Sequence, residues 1–232
     1  MTIEELKQYA SDCGIDLSDE MIAQLEQYGA ILKEWNQVMN LTGIDEIEEV
    51  REKHYLDCIL PLKHVDLKGE VADVGSGAGF PGLVFAIVKP NANLTLIEPT
   101  GKRCNFLKEV VKQLNLTNVK VENERAEDYA KDHRETFDFV TARAVANLPV
   151  LSELCIPLLK KDGIFLALKG NHGEEELDAS LHAMKVLGCE VSDVFEDHLP
   201  TGDVRINIVA TKNKHTPKQY PRAYAKIKKK PL

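Results

Sequence analysis

Up to about residue 62 the apolar residues recur at helical spacing; beyond it they fall into short runs bounded by glycine, proline and asparagine. Thr2-x-x-Glu5 forms a capping box, which predicts a short helix over roughly 2–13. Ser18 and Asp19 cap a longer helix to about Asn40, with Ile22, Leu25, Tyr28, Ile31, Leu32, Trp35, Val38 and Met39 on its apolar stripe. On that stripe Trp35 belongs to the core. A third helix, from Asp45 to Leu62, carries His54 and Asp57, for which a helix-packing hydrogen bond is the simpler reading than a function. From residue 70 the pattern alternates. Strands are predicted at 70–74, 93–97, 118–122, 137–142, 163–169, 190–196 and 204–211, and helices near 81–89, 101–114, 126–132, 147–160 and 173–187. Strict alternation implies a parallel sheet with helices on both faces. Only residues 199–203 separate the last two strands, too few for a crossover, so these should be antiparallel. The fold class is therefore α/β, doubly wound and seven-stranded. An N-terminal helical extension (1–66) precedes the main domain (67–212), and a basic C-terminal tail (213–232) follows it.

The first strand runs into Asp73-Val74-Gly75-Ser76-Gly77-Ala78-Gly79-Phe80-Pro81-Gly82. Glycines at 75, 77 and 79 would let a ligand lie against bare backbone, and Pro81 suits the first position of a helix whose free N–H groups face that ligand. A dinucleotide site needs G-x-G-x-x-G, with the third glycine at the helix–strand contact. Counted from Gly75, Phe80 stands there instead. The pattern D-x-G-x-G-x-G, with Asp73 ahead of the glycines, resembles that of S-adenosylmethionine-dependent methyltransferases. So does a seven-stranded sheet with a final hairpin. Asp73 would organise the turn or receive the cofactor's cationic end. Glu98, at the end of the second strand, would accept both ribose hydroxyls.

Composition narrows the classes. No apolar run is long enough to span a membrane and no secretory signal opens the chain. The five cysteines (13, 58, 104, 155 and 189) are scattered, with no C-x-x-C pair, which predicts reduced thiols and neither a disulfide framework nor a metal site. The net charge is −8, yet residues 212–232 hold eight basic residues and no acid. A basic tail on an acidic body suggests either a polyanionic partner reached locally or a solvated, disordered segment.

In a sheet of this kind ligands bind at the carboxyl ends of the strands. Besides Asp73 to Phe80 and Glu98 to Thr100, these ends present Glu124 to Asp128, where Ala126 and Glu127 would meet an adenine, and Thr141 to Val145. Arg143 needs a partner at the end of a buried strand. That partner is a cofactor or substrate, or else a salt bridge to Glu127 or Asp73. The fourth strand end lacks the Asn/Asp-Pro-Pro-aromatic motif used to methylate exocyclic amines. No cysteine sits on a loop that would aim a thiolate at a pyrimidine. What remains is a target already nucleophilic, such as guanine N7, for which the protein supplies alignment and electrostatics.

Trp35-Asn36-x-x-x-Asn40-Leu41-Thr42, His54-x-x-Asp57, Val71 to Gly82, Lys102-Arg103-x-x-Phe106-Leu107, Arg125-Ala126-Glu127, Arg143-Ala144-Val145 and the lysine-rich end together resemble the bacterial 16S ribosomal RNA guanine-N7 methyltransferases, also called glucose-inhibited division protein B. The resemblance covers nearly the whole chain. It implies a cytoplasmic enzyme, S-adenosylmethionine as cofactor, no metal, no membrane, and 16S ribosomal RNA or the small-subunit particle as partner. It also puts Gly75, Phe80, Ala126, Glu127 and Arg143 at the cofactor, with residues near Glu98 lining the same site; the glycine turn itself adds Asp73, Gly77 and Gly79 as cofactor-binding candidates. Arg143 would serve catalysis by position and charge, without a general base. A small-molecule or protein methyltransferase, or a cofactor-binding protein without turnover, is the alternative reading.

Overall fold

The N-terminal capping box is formed: in α1 (Ile3–Asp12) the Thr2 side chain accepts from the Glu5 N–H and Glu5 returns to the Thr2 N–H. Helix α2 (Asp19–Met39) starts at Ser18 and ends where Asn40 turns left-handed, at φ 48°. The third expected helix is not uniform. It begins as α3 (Ile47–Val50), widens into a π-helical turn at Arg51–Leu56, returns as α4 (Asp57–Ile59) and closes as a 3-10 turn at Leu60–Lys63. The π turn is fixed from inside: Arg51 forks Glu26 and the Tyr55 hydroxyl donates to Leu25 O at 2.7 Å. Such turns concentrate at functional sites, and this one carries His54.

The rest of the computed structural model, which describes residues 1–232, alternates strand and helix. In order it comprises β1 (Glu70–Val74), α5 (Gly82–Val88), β2 (Asn93–Ile97), α6 (Gly101–Gln113), β3 (Val119–Glu122), α7 (Ala126–Tyr129), β4 (Phe137–Arg143), α8 (Leu148–Cys155), β5 (Leu159–Lys169), α9 (Gly173–Leu187), β6 (Cys189–His198) and β7 (Val204–Lys212). The seven strands form one sheet in the order β3-β2-β1-β4-β5-β7-β6. Pairing is parallel from β3 to β5, while β7 is antiparallel to both β5 and β6. The strand order reverses beside β1, between β1 and β4, so the crevice above those two ends is where a ligand belongs.

Two cores cover the sheet. On one face Val71, Leu94, Leu96 and Phe139 pack with the N-terminal helices, α5 and α6. On the other, Ala72, Val74, Val140 and Ala142 pack with α8 and β7. Because strand side chains alternate between faces, Asp73 and Arg143 both point to the N-terminal layer. Pro81 precedes α5 rather than opening it, and Gly82 makes the close helix–strand contact: a Cβ there would lie 2.7 Å from Asp73 Oδ2.

The C-terminal segment corrects one expectation. It is not a solvated, disordered tail but is folded against the body. Lys212 is fully buried, with its Nζ on Ile156 O, Leu159 O and the Glu135 carboxylate at 2.8–3.0 Å. Arg134 gathers the carbonyls of Thr216, Pro217 and Tyr220. Arg222 forks the buried Glu153 of α8, and α10 (Tyr224–Lys229) then packs Ile227 into the second core.

Candidate active site

Three glycines precede α5 and each faces something different. Gly75, at φ 71°, makes room for Val145, since a Cβ there would come within 2.6 Å of Val145 Cγ2. Gly79 makes room for Leu83 and the Tyr28 hydroxyl, which itself donates to Ala78 O. Only Gly77, at φ 57°, faces open space: a Cβ there would have just Gly75 O nearby, at 3.8 Å. Its N–H donates to Glu98 Oε2 at 2.9 Å, and the Thr100 N–H donates to Oε1 at 2.8 Å. Each carboxylate oxygen keeps a lone pair after these bonds, so Glu98 can still accept a vicinal diol.

Gly75, Glu98, Ala126 and Glu127 come together around a cavity of about 210 Å³. Burial raises the Glu127 carboxyl above its usual range. Arg103, Arg125 and Tyr224 complete this wall, with the Arg125 guanidinium 5.3 Å above the Tyr224 ring. Tyr224 was missed in the sequence because it comes from the tail.

Asp73, Phe80 and Arg143 fall on the other side of the strand ends. Asp73 is fully buried. Its Oδ2 accepts from the Gly82 N–H at 3.1 Å and its Oδ1 has no partner. Burial pushes its pKa up to about 7. Asp73 therefore organises the start of α5 and keeps one oxygen free. Phe80 lies beneath Arg143, whose guanidinium is 5.1 Å from the ring centroid, and beside His54 at 4.3 Å.

The partner of Arg143 is Asp57, at 2.6 Å, and not Glu127 or Asp73. The other Asp57 oxygen takes Arg205 Nε at 2.7 Å, so one buried carboxylate holds two guanidinium groups. Arg143 Nη2 also lies 3.1 Å from His54 Nδ1. Nδ1 stands as well 2.9 Å from the Lys53 carbonyl, and Nε2 is 3.0 Å from Thr42 Oγ1, so both ring nitrogens are engaged. Thr42 N–H donates to Asn36 Oδ1, and Asn36 Nδ2 donates to Asp45. Burial, and then the Arg143 charge, lower the His54 pKa to about 4. His54 and Asp57 thus bond to strand-end arginines and a loop threonine rather than to another helix, and they line a cavity of about 660 Å³ with Arg143, Lys169 and Arg205. Both cavities have Ala144 and Val145 in their walls.

The sheet order, the open backbone at Gly77 and the acid at the end of β2 define a class, the S-adenosylmethionine-dependent methyltransferases. Solved structures share this fold at low identity. The YcgJ protein of Bacillus subtilis is 16% identical with a TM-score of 0.55, covering 69% of this chain and 100% of its own. A 16S rRNA adenine-N1 methyltransferase from Catenulisporales acidiphilia, solved with its cosubstrate, is 15% identical with a TM-score of 0.53, covering 64% of this chain and 86% of its own. Residues 21–203 match the family described as GidB, rRNA small subunit methyltransferase G. A relative from Staphylococcus saprophyticus, named ribosomal RNA small subunit methyltransferase G, is 44% identical over 100% of this chain and 99% of its own. One of the same name from Lactococcus lactis is 44% identical over 100% of both chains. The chain belongs to this family of ribosomal RNA methyltransferases. No helix is long and apolar enough to cross a membrane, and no three His, Cys, Asp or Glu side chains gather in a way that could hold a metal ion.

Proposed function

We propose that this enzyme methylates N7 of a guanine in 16S ribosomal RNA, either as free RNA or in the small-subunit particle. The smaller cavity receives the adenosine half of S-adenosylmethionine, with Glu98 on the ribose, Ala126 and Glu127 at the adenine, and Gly77 beneath the chain that leads to the sulfonium. The larger cavity receives the target base. The shared wall at Ala144 and Val145 brings the two ligands into line. When bound, the cofactor supplies an electrophilic methyl group on sulfur. A ribosomal RNA substrate goes with a cytoplasmic enzyme.

The observation that carries the choice of atom is the state of the acids and bases around the larger cavity. His54 has both ring nitrogens engaged and is neutral at physiological pH. Asp57 is held by two arginines. Glu176 accepts from Lys169 and from the Leu148 N–H, each at 2.7 Å. Each of these is tied to its partners, with both Glu176 bonds on Oε2, and Asp203, the remaining acid on this wall, is exposed at its edge. Guanine N7 has an in-plane lone pair and needs no base, so alignment suffices. In this reading Arg143 is a positioning residue that stiffens the end of β4 and adds positive potential beside the base. The test is methyl transfer from labelled cofactor to purified 16S ribosomal RNA and to small subunits, followed by mapping of the modified atom. Transfer to neither substrate overturns the reading.

A further inference from the structure

The basic residues of the C-terminal segment divide into two sets. Lys212 and Arg222 are internal, paired with Glu135 and Glu153. Lys226, Lys228, Lys229 and Lys230 are exposed and have no acid on their own segment. Ile227 turns the helix so that it faces the body. Lys226 and Lys229, three residues apart, then share the outward face, and Lys228 lies on the opposite flank of Ile227. Cations in a last turn favour the helix dipole, but four within five residues repel one another. A helix of six residues has little intrinsic stability with which to bear this.

This cluster is held in a fixed place. Arg222 bonds Glu153 through both Nε and Nη2, and the buried carboxylate makes that anchor costly to break. Two residues on, Tyr224 enters the wall of the smaller cavity beneath Arg125. Arg103 and Arg125, both exposed, stand at the same wall. The lysines therefore continue a basic rim that begins at the cofactor cavity, on a body that is otherwise acidic.

We propose that residues 222–230 form a phosphate-binding strap. Tyr224 closes the cofactor cavity, and Lys226, Lys228, Lys229 and Lys230 hold the sugar–phosphate backbone of the RNA whose base is methylated. The strap rests on the proposed RNA substrate. It sets RNA affinity without reading sequence, because phosphate contacts position a nucleic acid and carry no base information. Each phosphate neutralised releases counterions, so affinity falls with salt and each lost lysine flattens the log–log slope by about 0.7–0.9.

The experiment uses the full-length protein with all four lysines changed to Gln, and a 16S ribosomal RNA transcript whose binding is followed by anisotropy at several salt concentrations. Truncation is avoided because it would remove Ile227 from the core. RNA affinity should fall at least tenfold at low salt and the slope should flatten by two units or more, with the melting temperature and S-adenosylmethionine affinity of wild type retained. A separate Tyr224→Ala variant should weaken S-adenosylmethionine binding, and Tyr224→Phe should restore it. Wild-type RNA affinity and slope in the four-lysine variant overturn the strap. Wild-type protein that binds the transcript yet methylates neither it nor small subunits overturns the proposed reaction and leaves the strap standing.

Discussion

Arg143, at the end of β4, is bonded at 2.6 Å to Asp57, 86 residues earlier in the N-terminal layer. The same carboxylate holds Arg205 from β7. Three elements distant in sequence are thereby pinned at the mouth of the larger cavity, and the geometry of the cavity depends on one acid.

Asp57→Asn tests that dependence. The substitution keeps the shape and removes the charge, leaving two guanidinium groups without their counterion. Breaking one partner of a buried pair destabilises by about 3–5 kcal/mol, and a value near the lower end is expected because Arg205 is partly exposed. Turnover should fall at least tenfold, while S-adenosylmethionine affinity, set in the other cavity, changes little. Chemical denaturation and calorimetry read the two effects separately.

Gly77→Val should abolish S-adenosylmethionine binding, because its side chain would fill the open space proposed for the cofactor. A branched residue at φ 57° also strains the turn, at a cost of about 1–3 kcal/mol. The variant should fold with a lowered melting point. Retained cofactor affinity in a folded Gly77→Val protein would sink the assignment of the cradle.

His54 should remain neutral as pH is lowered from 8 until close to its folded pKa of about 4. Its folded pKa lies below the ordinary value, so the unfolded chain binds the proton more readily. The contribution to stability is present above about pH 6.5 and is lost as pH falls through about 4. Wild type should therefore lose stability across that window faster than His54→Gln. Imidazole NMR titration checks the pKa, and urea denaturation at a series of pH values checks the linkage. Equal slopes would show that His54 carries no such linkage.

A guanine methylated at N7 carries a positive charge and becomes labile to borohydride and aniline. The RNA should therefore cleave at one position after reaction. A base-free transfer to N7 predicts a pH–rate profile with no ascending limb in the neutral range. Product that resists cleavage would point to another atom.

The strand–helix alternation, the closing hairpin and the glycine turn were legible in the sequence because each rests on local periodicity or on one short loop. Which face each candidate occupies was not. Asp73 and Arg143 were grouped with Glu98 and Glu127 as neighbours at strand ends. Side-chain alternation along β1 and β4 sends the first two to the N-terminal layer instead. Arg205 and Tyr224 gave no local signal, since their roles depend on partners elsewhere in the chain. Glu153 did give one: a single acid inside Leu148-Pro-Val-Leu-Ser-Glu-Leu-Cys155 must be paired if that apolar helix is buried. The partner, Arg222, showed that the tail had to come back to the body.

The pairing of Glu153 with Arg222 also sets a timetable for biosynthesis. Synthesis runs from the N-terminus, so Glu153 is made 69 residues before the arginine that neutralises it. Asp57 meets Arg143 after 86 residues and Arg205 only after 148. Until Arg222 emerges, Glu153 is a carboxylate that cannot be buried without a large penalty. The packing around Glu153 on α8 is therefore completed only after Arg222 has been made. A chain stopped before Arg222 would leave the Glu153 carboxylate without its guanidinium in a helix whose other side chains are all buried.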